Sequence, residues 1–323
     1  MTKDIKRSVV FFIKKSYFFL RFLISCFTGR KIPLINPKDL YSPEYCLDIR
    51  NEECDNKAGE LPKIIWMYWD DPFLDEYLNK LVVNISELNP TYSVKLLNKK
   101  NFNAYLPYLK FNDSVNLSSA HKSDVIRLCL LRDYGGVWID ISTIFFEDLS
   151  WVENSFKRYD YDVVGFFRKV STCDFNKPII ENWFLASRPG NKFIKHWLSE
   201  FYPIISLGSD SYYKKLKERG DFSEIKQLVD NPGYLLSYLA AQIVMNQHPD
   251  RFSFFLRCCE ENAFFYQRLV SWKPHLVTYL LARVESLGVK PEIIKLTKSD
   301  RLLFKWVSCA RLIKKRSILF FLK

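Results

Sequence analysis

Glycine and histidine are scarce in this chain, and their scarcity counts against several classes of enzyme. Only 10 glycines and 4 histidines occur among 323 residues. The glycines form neither the G-x-G-x-x-G fingerprint of dinucleotide-binding folds nor a Walker phosphate loop, which argues against a dehydrogenase or a P-loop kinase. The histidines are scattered, with no serine elbow and no partner at a triad spacing, so the sequence gives little support to a hydrolase triad.

Metal-type cysteine motifs and long apolar runs are also missing. The eight cysteines include no C-x-x-C pair and no Cys/His cluster, so we expect no zinc site, and we interpret them as the reduced thiols of a cytoplasmic protein. Lys14, Lys15 and Arg21 interrupt the apolar N-terminal segment well before the ~20 residues that a spanning helix needs. No small-residue cleavage site follows, so a signal peptide is not favoured either.

Positive charge is concentrated at the two ends of the chain. The net charge is +12, of which residues 1–35 and 296–323 carry +7 each, so the middle of the chain is left at −2. A nucleic-acid binder would place this charge on its body, whereas basic, aromatic-rich ends suit an anionic membrane surface. The sequence therefore predicts a membrane partner and no nucleic acid.

Both ends predict basic amphipathic helices. In residues 1–30 the basic positions share a narrow helical stripe, while apolar positions cover the rest: Lys3, Arg7, Lys14 and Arg21 against Phe11, Phe12, Phe18, Phe19, Leu20, Phe22 and Leu23. This pattern predicts a helix lying in the interface at the inner face of the membrane. Residues 296–323 predict a second such helix. At each end the alternative is a helix docked on its own protein.

The segments between these ends predict an α/β fold. Residues 31–60 are polar and broken by prolines, as in a linker or cover segment, and residues 61–295 form the main domain. That domain alternates apolar strand patterns with helical periodicity, at 63–69, 74–88, 92–97 and 117–134. This order predicts a mostly parallel sheet with ligands at the carboxyl ends of its strands, followed by a helical C-terminal region.

The most informative segment is KSDVIRLCLLRDYGGVWIDIST, residues 122–143. An apolar helix ends at Gly135-Gly136, where a left-handed turn is possible, and a buried strand then leads to Asp140. Asp124 and Arg127 lie one helical turn apart and face that carboxylate. Two carboxylates and a guanidinium suit the hydroxyls and pyrophosphate of a nucleotide sugar. Taken singly, each group has a simpler interpretation as an exposed ion pair or turn residue. As site residues, their removal should lower turnover or donor binding and hardly change the melting temperature.

At these residues the chain resembles the DXD-type glycosyltransferases related to capsular polysaccharide synthesis proteins and to glycosyltransferase family 32. The likeness extends to LPKIIWMYWDDP at 61–72 and to ENWFLASRPGN at 181–191. It implies a GT-A fold and a nucleotide-diphosphate donor, for which we expect a UDP-sugar. It also implies transfer with retention, and the acceptor that we expect is a growing cell-surface polysaccharide or a lipid-linked glycan.

The resemblance also implies roles for individual residues. Trp66 is expected to stack on the nucleotide base, with Tyr68 or Trp69 as alternatives if the strand register differs. Asp124 and Arg127 are expected to hold hydroxyls of the donor sugar, with Arg127 also near the phosphate. Asp140 is expected to meet the ribose and the metal, and Asn182 to line the sugar or acceptor pocket.

The metal motif departs from the family pattern. It reads Asp140-Ile141-Ser142, so a hydroxyl replaces the usual second carboxylate. We expect Asp140 and Ser142 to coordinate Mn²⁺ or Mg²⁺ with reduced affinity. Lys295 and Lys298 are candidates for neutralising the departing diphosphate. The departure also supports a second hypothesis, a catalytically silent GT-A protein that binds a sugar nucleotide or scaffolds a polysaccharide synthesis complex.

Overall fold

A computed structural model describes residues 3–28, 42, 45–51, 59–285 and 291–322. The strands are β1 (Cys46–Ile49), β2 (Ile64–Tyr68), β3 (Ser93–Leu97), β4 (Gly136–Ile139), β5 (Thr143–Phe145), β6 (Val163–Phe167), β7 (Ile180–Ser187), β8 (Phe254–Cys258) and β9 (Ile293–Lys295). The α-helices are α1 (Lys3–Thr28), α2 (Glu76–Leu88), α3 (Ser119–Tyr134), α4 (Ser150–Arg158), α5 (Lys192–Phe201), α6 (Ile204–Leu207), α7 (Ser209–Lys217), α8 (Phe222–Lys226), α9 (Leu236–Gln247), α10 (Phe265–Leu269), α11 (Pro274–Arg283) and α12 (Lys298–Cys309). Short 3₁₀ segments occur at Phe102–Ala104, Lys169–Ser171 and Ile318–Leu322.

Seven strands form the central sheet in the order β1-β8-β6-β7-β4-β2-β3. β2, β3, β4, β6 and β8 run in one direction, and β1 and β7 oppose them. The predicted α/β class with a mostly parallel sheet is therefore confirmed. β4 and β6 are buried along their whole length, as expected for strands covered by helices on both faces.

The two glycines after α3 set the direction of β4. Gly135 has φ 62° and Gly136 has φ 92°, backbone conformations that residues other than glycine rarely adopt. A Cβ at Gly136 would also lie 2.6 Å from the carbonyl oxygen of Ile64, on the neighbouring strand β2. The turn therefore needs glycine both for its conformation and for the close approach of two backbones, and it directs β4 straight towards Asp140.

Several strands fall where the sequence predicts none. β1 lies inside the predicted linker, residues 31–60, and pairs antiparallel with β8 at the edge of the sheet. The rest of that segment is largely outside the described residues. β8 and β9 lie in the region predicted to be helical, and β9 pairs with β5 in a separate two-stranded sheet. This pairing sets Lys295 opposite Thr143, directly after the Asp140-Ile141-Ser142 segment.

One face of the N-terminal helix α1 docks on its own protein. Phe22 is fully buried, Phe19 packs edge-on against Trp306 of α12 at 5.2 Å, and Phe18 stacks on His275 of α11 at 6.4 Å. These phenylalanines were predicted to face lipid. They instead cover α11 and α12, so the docked alternative holds for this face.

The opposite face of α1 carries an apolar stripe open to solvent. Side chains at helical spacing share it: Ile13, Tyr17, Leu20, Ile24 and Phe27, between 45% and 86% exposed. The side chains of Lys14 and Arg21 are exposed beside it. Within the described residues, no helix combines the length and the apolarity needed to cross a bilayer.

The C-terminal helix α12 is docked in the same way. Leu303 and Val307 are fully buried, and Phe304 is 2% exposed. These side chains join α1 and α11 in one apolar cluster. The docked alternative therefore describes this helix as well.

Candidate active site

Four elements converge just beyond the carboxyl end of β4. Asp140 follows that strand directly, α3 presents Asp124 and Arg127, β7 presents Asn182, and β9 presents Lys295. The sheet order places β7 beside β4, while α3 packs across the same part of the sheet. Polar side chains from distant parts of the chain thus meet where ligands of α/β sheets commonly bind.

Arg127 bridges the two carboxylates. Its guanidinium donates to Asp124 Oδ1 at 2.6 Å and to Asp140 Oδ1 at 2.9 Å, and it lies over the ring of Trp138 with its central carbon 4.7 Å from the centroid. Only 3% of this arginine is exposed. The pair that the sequence also allowed to be a surface ion pair is therefore a buried network.

Asp140 receives donors on both carboxylate oxygens. Trp138 Nε1 donates to Oδ1 at 3.0 Å, beside Arg127, and Lys295 Nζ donates to Oδ2 at 2.7 Å. Burial alone would raise the pKa of Asp140, but the ammonium of Lys295 and the guanidinium of Arg127 lower it to about 2. Asp140 is therefore an anion at neutral pH. Its side chain is 29% exposed, so solvent and ligands can reach it.

Asp124 is held more deeply than Asp140. Asn182 Nδ2 donates to Asp124 Oδ1 at 3.0 Å, next to Arg127. Burial raises the pKa of Asp124, Arg127 and His121 oppose that shift, and the nearby charge of Asp140 adds to it. The two carboxylates therefore differ in electrostatic environment, although one guanidinium contacts both.

Lys295 connects both ends of the Asp140-Ile141-Ser142 motif. Its ammonium donates to Asp140 Oδ2 and, at 2.9 Å, to Ser142 Oγ. Its side chain is 10% exposed. Burial lowers the pKa of Lys295, and the carboxylate of Asp140 opposes that shift. Of the two lysines proposed from the sequence, Lys295 reaches the motif, whereas Lys298 is exposed on the first turn of α12.

The residues predicted to bind Mn²⁺ or Mg²⁺ do not fit a divalent cation as they are arranged. Such ions prefer several oxygen ligands, at least one of them charged. Here the ammonium of Lys295 is bound to both Asp140 and Ser142. Within the described ranges, no group of three or more His, Cys, Asp or Glu side chains is placed to hold a metal ion. Metal binding stays a prediction from the sequence.

Trp66 does not join this cluster. It is 1% exposed, and its indole N–H donates to the carbonyl of Gly135 at 2.8 Å. Its ring packs against Tyr105 and Tyr134, with centroids 5.1 and 5.5 Å away. A nucleotide base could stack on Trp66 only by displacing these neighbours, so the structure does not support the predicted stacking role.

Trp69 is better placed for such a contact, in line with the alternative register. It follows the carboxyl end of β2, is half-buried, and lies 5.3 Å from the guanidinium carbon of Arg301. The sequence did not single out Arg301 or Tyr234. Burial raises the pKa of the Tyr234 hydroxyl, and the charges of Asp124 and Asp140 add to that shift. Tyr234, which is 54% exposed, therefore lies at the rim of the cluster.

The fold and this cluster define an α/β protein with a charged site at the carboxyl edge of its sheet. A family model described as "Capsular polysaccharide synthesis protein" matches residues 41–206. The chain therefore belongs to the capsular polysaccharide synthesis protein family, which confirms that part of the resemblance. The matched region includes Asp124, Arg127, Asp140, Ser142 and Asn182 and ends before Lys295.

Two curated fungal relatives are glycosyltransferases by name. O-glycosyltransferase braB of Annulohypoxylon truncatum is 28% identical over 160 residues, covering 43% of this chain and 37% of the relative. Glycosyltransferase afumC of Aspergillus fumigatus is 26% identical over 182 residues, covering 51% of this chain and 42% of the relative. The chain thus spans about two fifths of the length of the curated relatives that it matches.

Among solved structures, the PaToxG glycosyltransferase is similar in part. It is 14% identical in sequence, the alignment covers 76% of this chain and 84% of that one, and the TM-score is 0.35. A likeness at that TM-score carries no weight for fold or function.

Proposed function

We propose that this protein is a glycosyltransferase that takes a sugar from a nucleotide-diphosphate donor, a UDP-sugar, and transfers it with retention. The observation that carries the proposal is the buried network of Asp124, Arg127 and Asp140 at the carboxyl edge of the sheet, in a chain of the capsular polysaccharide synthesis family. The GT-A architecture belongs to the same proposal, since the fold is of that α/β class.

Each part of the donor has a chemical partner in this arrangement. Trp69, half-buried and with Arg301 5.3 Å from its ring, is our candidate for contact with the base, and Asp140 offers a partly exposed carboxylate for ribose or sugar hydroxyls. Asp124 and Asn182 supply further polar groups for the sugar. Arg127 is 3% exposed and donates to both carboxylates, so its main role is to position them.

The reaction that we propose is a front-face substitution at C1 of the donor sugar. The bond between C1 and the diphosphate oxygen breaks, and its electron pair stays on the diphosphate. The acceptor hydroxyl oxygen forms the new bond on the same face of the sugar, and its proton passes to the departing diphosphate. Basic side chains at the site stabilise the charge that develops there.

The acceptor that fits the rest of the molecule is a growing surface polysaccharide or a lipid-linked glycan at the inner face of an anionic membrane. The support is the exposed stripe of α1, from Ile13 to Phe27, with Lys14 and Arg21 beside it. Apolar side chains flanked by cations bind lipid headgroup regions well. The helix would lie along the membrane with its docked face towards the protein.

A catalytically silent member of the family is a second candidate. The specific observation in its favour is that Ser142 stands where the family usually has a carboxylate and accepts a hydrogen bond from Lys295. Such a protein would bind a sugar nucleotide or scaffold a synthesis complex without turning the donor over.

Donor turnover decides between these candidates. The purified full chain is incubated with UDP-glucose, UDP-galactose and their N-acetyl forms, and release of UDP is measured with and without manganese. We expect release from at least one donor, and loss of that release in Asp140→Asn. Binding of a donor without release by the wild type would favour the silent candidate, and the absence of both would contradict the proposed function.

A further inference from the structure

We infer that Lys295 takes the place of the divalent cation at the donor diphosphate, so that this chain binds its donor without a metal. The inference rests on the proposed function, because it concerns how the same site holds a nucleotide donor. It starts from the position of the ammonium, which contacts Asp140 Oδ2 at 2.7 Å and Ser142 Oγ at 2.9 Å. These are the two positions from which a metal would be held.

The hydroxyl of Ser142 in the motif is matched to the ammonium of Lys295, which donates to it. Two carboxylates at positions 140 and 142 would concentrate negative charge that a divalent cation neutralises. With a neutral hydroxyl at Ser142, a single ammonium matches the single negative charge of Asp140. The departure from the usual motif thus removes a metal ligand and leaves a site suited to an ammonium.

The charges of the buried cluster already balance. Asp124 and Asp140 contribute two negative charges, and Arg127 and Lys295 contribute two positive charges. A divalent cation bound to the same oxygens would bring two further positive charges next to an ammonium. Like charges at such distances repel strongly where water is largely excluded. Before a donor binds, the four side chains are therefore electrically balanced without a metal ion.

The backbone around Lys295 fixes the ammonium in this position. Its N–H donates to the carbonyl of Ala263 at 2.9 Å, and its carbonyl accepts from Gln267 Nε2 at 2.7 Å. Leu296 N–H donates to the carbonyl of Ser142 itself at 2.9 Å. The backbone next to the lysine is thus hydrogen-bonded directly to the motif, which holds the side chain of Lys295 beside it.

The ammonium retains the capacity to bind a phosphate. A lysine has three N–H donors, of which Asp140 and Ser142 use two, and a tenth of the side chain is exposed. Arg301, on helix α12, lies 5.3 Å from the ring of Trp69. Its positive charge helps to lower the pKa of Lys295. Lys295 and Arg301 together offer a leaving diphosphate the positive charge that a metal ion would otherwise supply.

Nucleoside diphosphate binding in the presence of a chelator tests this inference directly. The wild-type chain is titrated calorimetrically with UDP, and then with GDP, ADP and CDP, first in EDTA and then in excess MnCl₂ or MgCl₂. We expect one of these ligands to bind with the same Kd under all conditions. Binding that requires Mn²⁺ or Mg²⁺ would overturn the inference and leave the proposed function standing. Failure of all four ligands under every condition would instead contradict the proposed function.

Three variants extend the test beyond the wild type. Lys295→Met should weaken binding in EDTA on the order of tenfold to a hundredfold, because a charged hydrogen bond to phosphate is lost. Lys298→Met, an exposed lysine three residues along, is the matched control and should leave Kd unchanged. In the double variant Ser142→Asp/Lys295→Met, binding should become metal-dependent. Equal Kd for Lys295→Met and Lys298→Met, with both variants folded, would contradict the role of Lys295.

Discussion

Replacing Arg127 with methionine should destabilise the fold, not only impair donor binding. The guanidinium is 3% exposed and bridges Asp124 and Asp140 at 2.6 and 2.9 Å. Removing one partner of a buried ionic network costs about 3–5 kcal/mol. We expect the lower end, about 3 kcal/mol, because Asp140 keeps Lys295 and is 29% exposed. For a chain of 323 residues, that free energy corresponds to a fall in Tm of about 4–5 °C.

Equilibrium unfolding in urea, followed by tryptophan fluorescence, measures this effect. Arg132→Met is the matched control, since Arg132 lies on the same helix with 30% of its side chain exposed and should shift stability by less than about 1 kcal/mol. The double variant Asp124→Asn/Arg127→Met leaves Asp140 and Lys295 as a balanced pair. It should regain about 1–2 kcal/mol relative to Arg127→Met, because the two sites share one network.

Two outcomes would refute this account of Arg127. One is a urea midpoint for Arg127→Met equal to that of Arg132→Met, which would mean that the Arg127 guanidinium is solvated like a member of an ordinary surface ion pair. The other is a double variant no more stable than Arg127→Met, which would mean that Asp124 is not left with an uncompensated charge. The sequence alone predicted an unchanged melting temperature, so the measurement separates the two accounts.

Three further perturbations test other parts of the molecule. Asp140→Asn should lower donor turnover on the order of a hundredfold or more, as expected when a charged group at the reacting centre is neutralised; a rate equal to wild type would remove Asp140 from the site. Burial lowers the pKa of His275 to about 4. The contribution of this neutral imidazole to stability is therefore full above the unfolded pKa of about 6.5 and is lost as pH falls towards 4. Thermal melts should show about 1 kcal/mol less stability at pH 5 than at pH 7 in the wild type, and a smaller loss in His275→Leu. If the loss at pH 5 is the same in both proteins, His275 is not its source. Serine at Leu20, Ile24 and Phe27 together should abolish sedimentation with anionic vesicles at unchanged Tm, whereas retained binding would show that this face does not meet lipid.

The structure changes how the membrane prediction is best tested. Deleting residues 1–30 would uncover apolar side chains of α11 and α12 that Phe22 and its neighbours bury. Loss of vesicle binding after deletion could then reflect a damaged domain. Substitutions confined to the exposed stripe leave the docked face of α1 intact.

Local patterns in the sequence were enough to predict that Asp124, Arg127 and Asp140 come together. Asp124, Arg127 and Asp140 lie within 17 residues, and helical spacing followed by the Gly135-Gly136 turn determines where their side chains point. The same spacing could not predict burial of Arg127, because burial depends on how α3 packs against β7 and the helices from other parts of the chain.

Lys295 and Trp69 show the limits of sequence analysis more clearly. Lys295 is separated from Asp140 by 155 positions, and it lies on a short strand in a region whose composition predicts helix, so only the folded chain brings the two together. In β2 every residue from Ile64 to Tyr68 is apolar, so alternation cannot show which aromatic faces the site. For α1, periodicity defines two apolar faces but not which one meets the protein.

The most direct test of the central claim is a structure of this chain with a bound nucleotide sugar. The account predicts the sugar against Asp124, Asp140 and Asn182, and the diphosphate within hydrogen-bonding distance of Lys295 Nζ. The base should lie near Trp69 and not near Trp66. A donor bound elsewhere on the molecule, with this cluster unchanged and out of contact, would contradict the assignment of the site.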